Sequence, residues 1–254
     1  MDSLYRIAVD DQARWAWRRD DGYALIAGDP IRDGWSDLHE TGERAPLEGT
    51  ELLPPCGRSK VLGLAYNYRS LTGGSDDQEP LFFFKSVTSL VSSGQPVRIP
   101  AFVERAWVEV ELALVIGSRG FNIAEEEAHR FVLGHTVGND ITAVNIHGRD
   151  HHLARSKGLD GFCPLGPCLL PGMPKSNLKI ETHINGRVTQ SGNTGDRILG
   201  DAATIALLSR YVTLEPGDVI LTGTCAGAME SIVRAGDVVA VSIDGVGRLE
   251  TRFV

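Results

Sequence analysis

Two glutamates set one residue apart, Glu109 and Glu111, open a run that is otherwise apolar through Ile116. If residues 108–116 form a strand, side chains alternate between faces and both carboxylates point the same way. Their backbones then lie about 6–7 Å apart. At an effective dielectric near 20 the two charges repel by about 2–3 kcal/mol. A bound cation removes that cost, and the apolar residues that follow place the pair at the mouth of the core. Asp140, just after Thr136-Val137-Gly138-Asn139, is a candidate third ligand. Three oxygen donors with no cysteine or histidine beside them favour a hard ion, Mg2+, Mn2+ or Ca2+, over zinc. The competing reading is an acidic strand edge that faces solvent.

Other reactive side chains make weaker patterns. In His147-Gly148-Arg149-Asp150-His151-His152, two imidazoles four residues apart share a face if the stretch is helical. They could serve as a base or a zinc pair, but the glutamate of the metalloprotease motif is missing and a polar loop is the plainer reading. Cys56, Cys163, Cys168 and Cys225 form no CxxC pair. That fits a cytoplasmic protein with reduced thiols. Cys163 and Cys168 read as small buried hydrophobes.

Bulk properties narrow the class. The 254 residues are 42% hydrophobic with a net charge of −8, which suits a sizeable core and argues against a nucleic-acid partner. No apolar run reaches the length of a membrane span, and the N-terminus has no secretory h-region. No GxGxxG or GxxxxGK[ST] motif is present.

The elements that must position the carboxylates are mostly strands. Residues 4–9, 14–18 and 23–27 read as a small N-terminal β module over residues 1–55, with Leu53-Pro54-Pro55 as its linker to a larger domain over 56–254. Residues 61–65, 81–84, 108–116 and 136–141 follow as strands. Asn122 and Glu125 form a capping-box pattern that predicts a helix ended by Gly134. Residues 178–184 and the Asn185-Gly186 turn predict a hairpin. Residues 201–211 predict a second helix, and Gly217-Asp218 and Gly236-Asp237 lead into strands 219–222 and 238–243. The sum is a mixed, β-rich α+β chain with a roll or sandwich core.

Several segments together resemble the fumarylacetoacetate hydrolase family. They are Gly63-Leu64-Ala65-Tyr66-Asn67-Tyr68-Arg69, Leu81-Phe82-Phe83-Phe84-Lys85, Glu109-Val110-Glu111-Leu112, Gly138-Asn139-Asp140, Lys157, Cys163-Pro164-Leu165-Gly166-Pro167, Ile184-Asn185-Gly186, Gln190, and Leu214-Glu215-Pro216-Gly217-Asp218 running on to Thr222-Gly223-Thr224. The resemblance runs from about residue 60 to 254. It implies a β-roll core, a homodimer, and a divalent metal held by Glu109, Glu111 and Asp140. It implies that Lys157 acts beside the metal and that Tyr68, Lys85, Gln190 and Thr224 contact a small 2-oxo acid. Asp160-Gly161-Phe162-Cys163-Pro164 is most similar to the branch that isomerises hydroxyhepta-diene-dioate and decarboxylates oxopentene-tricarboxylate. A purely structural reading of these polar groups competes with each role. Lys85 could snorkel, Lys157 could lie on the surface, and Gln190 and Thr224 could be satisfied core groups.

The chain also departs from the family pattern. Leu71 stands where many members carry a histidine, Val144 where an arginine is frequent, and Cys225 where proline follows Thr-Gly-Thr. Cys225 is expected at the pocket, where a thiol is worth testing for reactivity. Without an imidazole at position 71, water-activating C–C hydrolysis loses its expected base. Isomerisation or decarboxylation through an enolate needs less, because the metal set and Lys157 remain. The alternatives are a C–C hydrolase of acylpyruvate-like 2,4-dioxo acids and a metal-binding protein without turnover.

Overall fold

The computed structural model describes residues 3–75, 79–144, 148 and 150–254, and in it the apolar runs become strands of three sheets. Among the described residues the largest sheet has twelve strands. Its path begins in the N-terminal module with His39–Ala45, Gly22–Ala27, Gln12–Arg19 and Leu4–Val9. It continues through Cys163–Pro171, Val132–Asn139, Val110–Ile116, Val219–Leu221, Val61–Ala65 and Leu81–Lys85. Leu4 pairs with Leu169, so the module and the rest of the chain share one hydrogen-bonded sheet. Leu53, expected in the linker, pairs with Arg6 within the short strand Leu52–Leu53.

Val110–Ile116 is buried at every residue and paired on both edges. A strand covered on both faces needs a continuous apolar run, which this one has. Val110 and Leu112 pack with Ile180, Val239 and Val241 of a five-stranded sheet. Leu114 and Ile116 pack with Ile205 and Leu208 of the helix Asp201–Ser209. On the other face Ala113 and Val115 join Cys163, Leu165 and Val219. Glu109 and Glu111 share the parity of Ala113 and Val115, so they extend this layer to its polar end. In the five-stranded sheet, the Asn185-Gly186 hairpin forms as expected, with φ of 49° and 81° at its two turn residues. A third, small sheet sets Ala106–Trp107 between Thr142–Ala143 and Ile232–Val233.

One expected region differs. The capping box at Asn122 and Glu125 does not form. Asn122 has φ 51°, and the segment is a 3-10 helix over Glu125–Phe131 with no side-chain cap at Ala124. Gly134 stops no helix; it lies inside the strand Val132–Asn139. A Cβ at Gly134 would sit 2.2 Å from the Leu170 carbonyl oxygen, so close strand approach requires glycine there. Tertiary pairing, with Val110–Ile116 from Val132 and with Cys163–Pro171 from Gly134, therefore extends this strand four residues ahead of the expected start at 136. Among the described residues no helix is long and apolar enough to cross a membrane.

Candidate metal centre

Antiparallel register assembles the site. Val110 lies opposite Asn139 and Glu111 opposite Gly138. One step beyond, the Asp140 amide donates to the Glu109 carbonyl at 2.9 Å, which brings the end of one strand to the start of its neighbour. One carboxylate oxygen from each of Glu109, Glu111 and Asp140 then lies within 4.8 Å of the others, and all three residues are buried. The solvent-facing reading of the glutamate pair is therefore excluded.

Each carboxylate has its own support. Glu109 Oε1 accepts from the Trp107 indole at 2.7 Å and the Thr142 hydroxyl at 2.8 Å, while Oε2 accepts from Lys157 Nζ at 3.0 Å. Glu111 Oε2 accepts from the Gly223 amide at 2.5 Å. Gly223 has φ 97°, and a Cβ there would meet the Asn67 Cβ at 2.9 Å, so only glycine lets this amide approach. Asp140 accepts from Lys85 on one oxygen and from Lys157 on the other. Lys85 also donates to the Ile141 carbonyl at 3.1 Å.

Lys157 ends the one-turn helix Ala154–Lys157. Asp150 holds that turn, accepting from the Arg155 amide at 3.1 Å and from the Ser156 amide and hydroxyl at 2.6 Å each. The ammonium also lies 4.7 Å from the Phe83 ring centroid, a favourable cation–π contact.

The electrostatics follow from burial and crowding. Burial, then the Asp140 and Glu109 charges, push the Glu111 carboxyl well above the usual range; Lys157 and the Gly223 amide oppose this without reversing it. Burial also disfavours the Asp140 carboxylate, but Lys157 and Lys85 outweigh it and hold Asp140 below its ordinary value. Burial alone would discharge Lys157, yet the three carboxylates around it raise its pKa and keep it an ammonium. Three carboxylates and two ammonium groups sum to −3 + 2 = −1 when all are ionised. Oxygen-only donors, close convergence and residual negative charge fit a hard divalent cation.

The other expected residues fall into two groups. Lys85 belongs with the carboxylates, paired to Asp140. Gln190 and Thr224 instead hold the Val110 backbone. Gln190 Oε1 accepts from the Val110 amide at 3.2 Å and the Thr182 hydroxyl at 2.7 Å; its Nε2 donates to Thr224 Oγ1 and the Cys225 carbonyl, each at 3.0 Å. All four of its hydrogen-bonding positions are filled within the chain. Thr224 donates onward to the Val110 carbonyl at 2.8 Å. Tyr68 is buried with its hydroxyl unpartnered among the described residues, and burial raises its pKa. Burial pushes the Cys225 thiol up to about 11, so it is not poised as a thiolate. Cys163 and Cys168 are buried, as expected of small hydrophobes. His147 lies outside the described residues. His151 sits in an exposed turn ahead of Ala154–Lys157. Leu71 is partly exposed.

Sequence reasoning missed Trp107, Thr142 and Gly223 around the carboxylates, and Asp150 behind Lys157. A tryptophan two residues before an acidic pair was a usable signal. The others act through register or a distant loop.

Fold and site together define a strand-rich scaffold with a buried Glu-Glu-Asp cluster that could hold a metal, and two attendant lysines. Residues 60–254 match the family described as Fumarylacetoacetate (FAA) hydrolase C-terminal, and residues 4–55 match the one described as Rv2993c-like, N-terminal. The chain belongs to the fumarylacetoacetate hydrolase family. It is 34% identical over 245 residues to the oxaloacetate tautomerase YisK of Bacillus subtilis, covering 91% of this chain and 79% of that one. It is 36% identical over 206 residues to the Escherichia coli 4-hydroxyphenylacetate degradation bifunctional isomerase/decarboxylase, covering 79% of this chain and 47% of that one. The crystal structure of 2-hydroxyhepta-2,4-diene-1,7-dioate isomerase from Mycobacterium marinum superposes with a TM-score of 0.89 at 32% identity, covering 100% of this chain and 98% of that one.

Proposed function

We propose that this chain is a divalent-metal-dependent isomerase or decarboxylase of a small unsaturated 2-oxo or 2-hydroxy dicarboxylic acid. The observation that carries the proposal is the convergence of Glu109, Glu111 and Asp140 within 4.8 Å beside a charged, buried Lys157. These three residues would hold Mg2+ or Mn2+. When bound, the ion supplies Lewis acidity toward a substrate oxygen on which enolate charge develops. With all three carboxylates ionised, a dication brings the local sum to −1 + 2 = +1, which suits an anionic acid.

The chain's own groups do the rest. Lys157, kept as an ammonium by its neighbours, pairs with the substrate carboxylate or gives a proton to the carbanion end of the enolate. Lys85 fixes Asp140 from the other side and so keeps that carboxylate in place. The buried Tyr68 hydroxyl, without a partner among the described residues, is a donor available to a substrate oxygen. Gln190 and Thr224 brace the Val110 backbone between the two glutamates, which makes them positioning groups unless substrate displaces one of their bonds. Leu71 stands where many members carry a histidine, which weighs against water-activating hydrolysis. The relatives are named as an oxaloacetate tautomerase, a bifunctional isomerase/decarboxylase and a 2-hydroxyhepta-2,4-diene-1,7-dioate isomerase, which supports this reading.

The test is a substrate panel of oxaloacetate, 2-hydroxyhepta-2,4-diene-1,7-dioate and acylpyruvates, assayed in D2O with Mg2+ and again with chelator. Deuterium uptake or CO2 release that requires the metal is expected. Cleavage of acylpyruvates into acid and ketone fragments would make the chain a hydrolase instead. Turnover that persists in chelator would overturn the metal assignment.

A further inference from the structure

Glu109 differs from its two partners in how it is held. Its Oε1 accepts from two neutral donors, the Trp107 indole at 2.7 Å and the Thr142 hydroxyl at 2.8 Å. Those donors are not neighbours by chance. Trp107 and Thr142 are directly opposed residues of the small three-stranded sheet. Directly opposed strand residues keep their Cβ atoms about 4.5–5.5 Å apart, close enough for both side chains to reach one atom. Ile232 pairs with Trp107 from the other side, and the Val108 amide donates to the Ser231 carbonyl at 3.1 Å, so the strand bearing the indole is fixed on both edges. A carboxylate oxygen has about two acceptor positions, and these two donors fill them. Oε2 is left to Lys157, whose ammonium also holds Asp140.

We infer that Trp107 and Thr142 clamp Glu109 through Oε1 so that Oε2 alone is presented to the cation. Both are positioning residues, and the inference rests on the metal-centre reading above. Supporting groups of this kind orient ligands and tune their basicity, and their loss typically weakens metal binding by about 10–100-fold. The indole is a donor only and has its single N–H committed here. Binding of a cation at Glu109 therefore changes the charge felt at the pyrrole end of Trp107. Excitation moves indole electron density away from that end, so neutralising the carboxylate beside it shifts emission to shorter wavelength. The chain has four tryptophans. Trp15 and Trp17 lie in the N-terminal strand Gln12–Arg19, and Trp35 donates to the Leu133 carbonyl at 2.7 Å. The metal-linked emission change is thus assigned to Trp107.

The test uses the full chain and two independent readouts. Mn2+ uptake is followed by loss of the free-ion EPR signal, and Mg2+ addition by tryptophan emission. The wild type is expected to take up Mn2+ and to shift its emission with Mg2+. Trp107→Phe should abolish the shift, and Trp35→Phe should keep it. Trp107→Phe and Thr142→Val should each weaken Mn2+ binding at least about 10-fold, and Thr142→Ser, which restores the hydroxyl, should return it to near wild type. Circular dichroism in chelator checks that each variant is folded. If Trp107→Phe does not fold, the Val and Ser variants at 142 carry the test. Folded Trp107→Phe or Thr142→Val protein with wild-type Mn2+ affinity would overturn the clamp and leave the metal centre standing. Failure of the wild type to take up Mn2+ would overturn both.

Discussion

Replacing Glu111 by glutamine separates a metal ligand from an ordinary buried carboxylate, because the two predict opposite signs. Glu111 lies within 4.8 Å of two other carboxylates. At that separation and an effective dielectric near 20, each ionised pair repels by about 3.5 kcal/mol. The crowding and burial already drive the Glu111 carboxyl toward its protonated form. A glutamine imitates that form and can still accept from the Gly223 amide through its carbonyl oxygen. In chelator, Glu111→Gln is therefore expected to match the wild type within about 1 kcal/mol, or to exceed it. A carboxylate retained for structure would instead cost about 1–3 kcal/mol when its charged hydrogen bond is weakened. Metal reverses the order. A ligand at 100 times its Kd adds about 2.7 kcal/mol to the stability of the form that binds it. For a domain of this size that corresponds to roughly 5–10 °C in Tm. Urea and thermal unfolding, each run with chelator and with saturating Mg2+, measure all four quantities. The wild type should gain stability with Mg2+ and the variant should gain none. A variant clearly less stable in chelator, together with a wild type indifferent to metal, would refute the reasoning.

Other outcomes follow from the same contacts. Lys157→Met leaves Asp140 and Glu109 without their shared buried cation; metal-free stability should fall by about 3–5 kcal/mol by urea unfolding, and turnover should fall by about 100-fold or more. Asp150→Ala removes the acceptor for two amides and a hydroxyl in the turn that carries Lys157; a loss of about 1–2 kcal/mol is expected, with lower turnover and unchanged Mn2+ uptake. Burial raises the Asp150 carboxyl, but its hydrogen bonds from Ser156 and Arg155 prevail and depress it. A depressed carboxyl stabilises the fold above its unfolded pKa and loses that contribution as pH falls through the folded value. The stability gap between wild type and Asp150→Ala should accordingly close in acid, and a gap independent of pH would contradict the assignment. Cys225, buried and held as a thiol with a pKa of about 11, should resist iodoacetamide at pH 8 until the chain is unfolded; rapid native-state alkylation would show the pocket to be open at that residue.

The sequence by itself determined what depends on near neighbours. Alternation in 109–116 placed the two glutamates on one face, and the apolar run predicted a buried strand. Asn185-Gly186 specified its own turn, because both residues accept positive φ. Val238–Ile243 occupies the expected residues, and Val61–Ala65 does too. The paired segments around Asp140, Lys157 and Thr224 pointed to the family through order and spacing. Where local signals conflicted with long-range pairing, they lost. Asn122 and Glu125 resembled a cap, but pairing of Val132–Asn139 with Cys163–Pro171 extended a strand back through Gly134.

Tertiary structure alone decided which polar groups meet. Lys85 and Asp140 are 55 residues apart, and Glu111 and Gly223 are 112 apart. Nothing in local periodicity encodes such contacts, which arise only when sheet register is fixed over the whole chain. Register also turned Gln190 into a brace for Val110 and set Trp107 opposite Thr142 over a single oxygen of Glu109. The shared face of Glu109 and Glu111 was legible because a strand repeats every two residues. Their support was not, because hydrogen bonds are short and directional and the distances that satisfy them exist only in the folded chain.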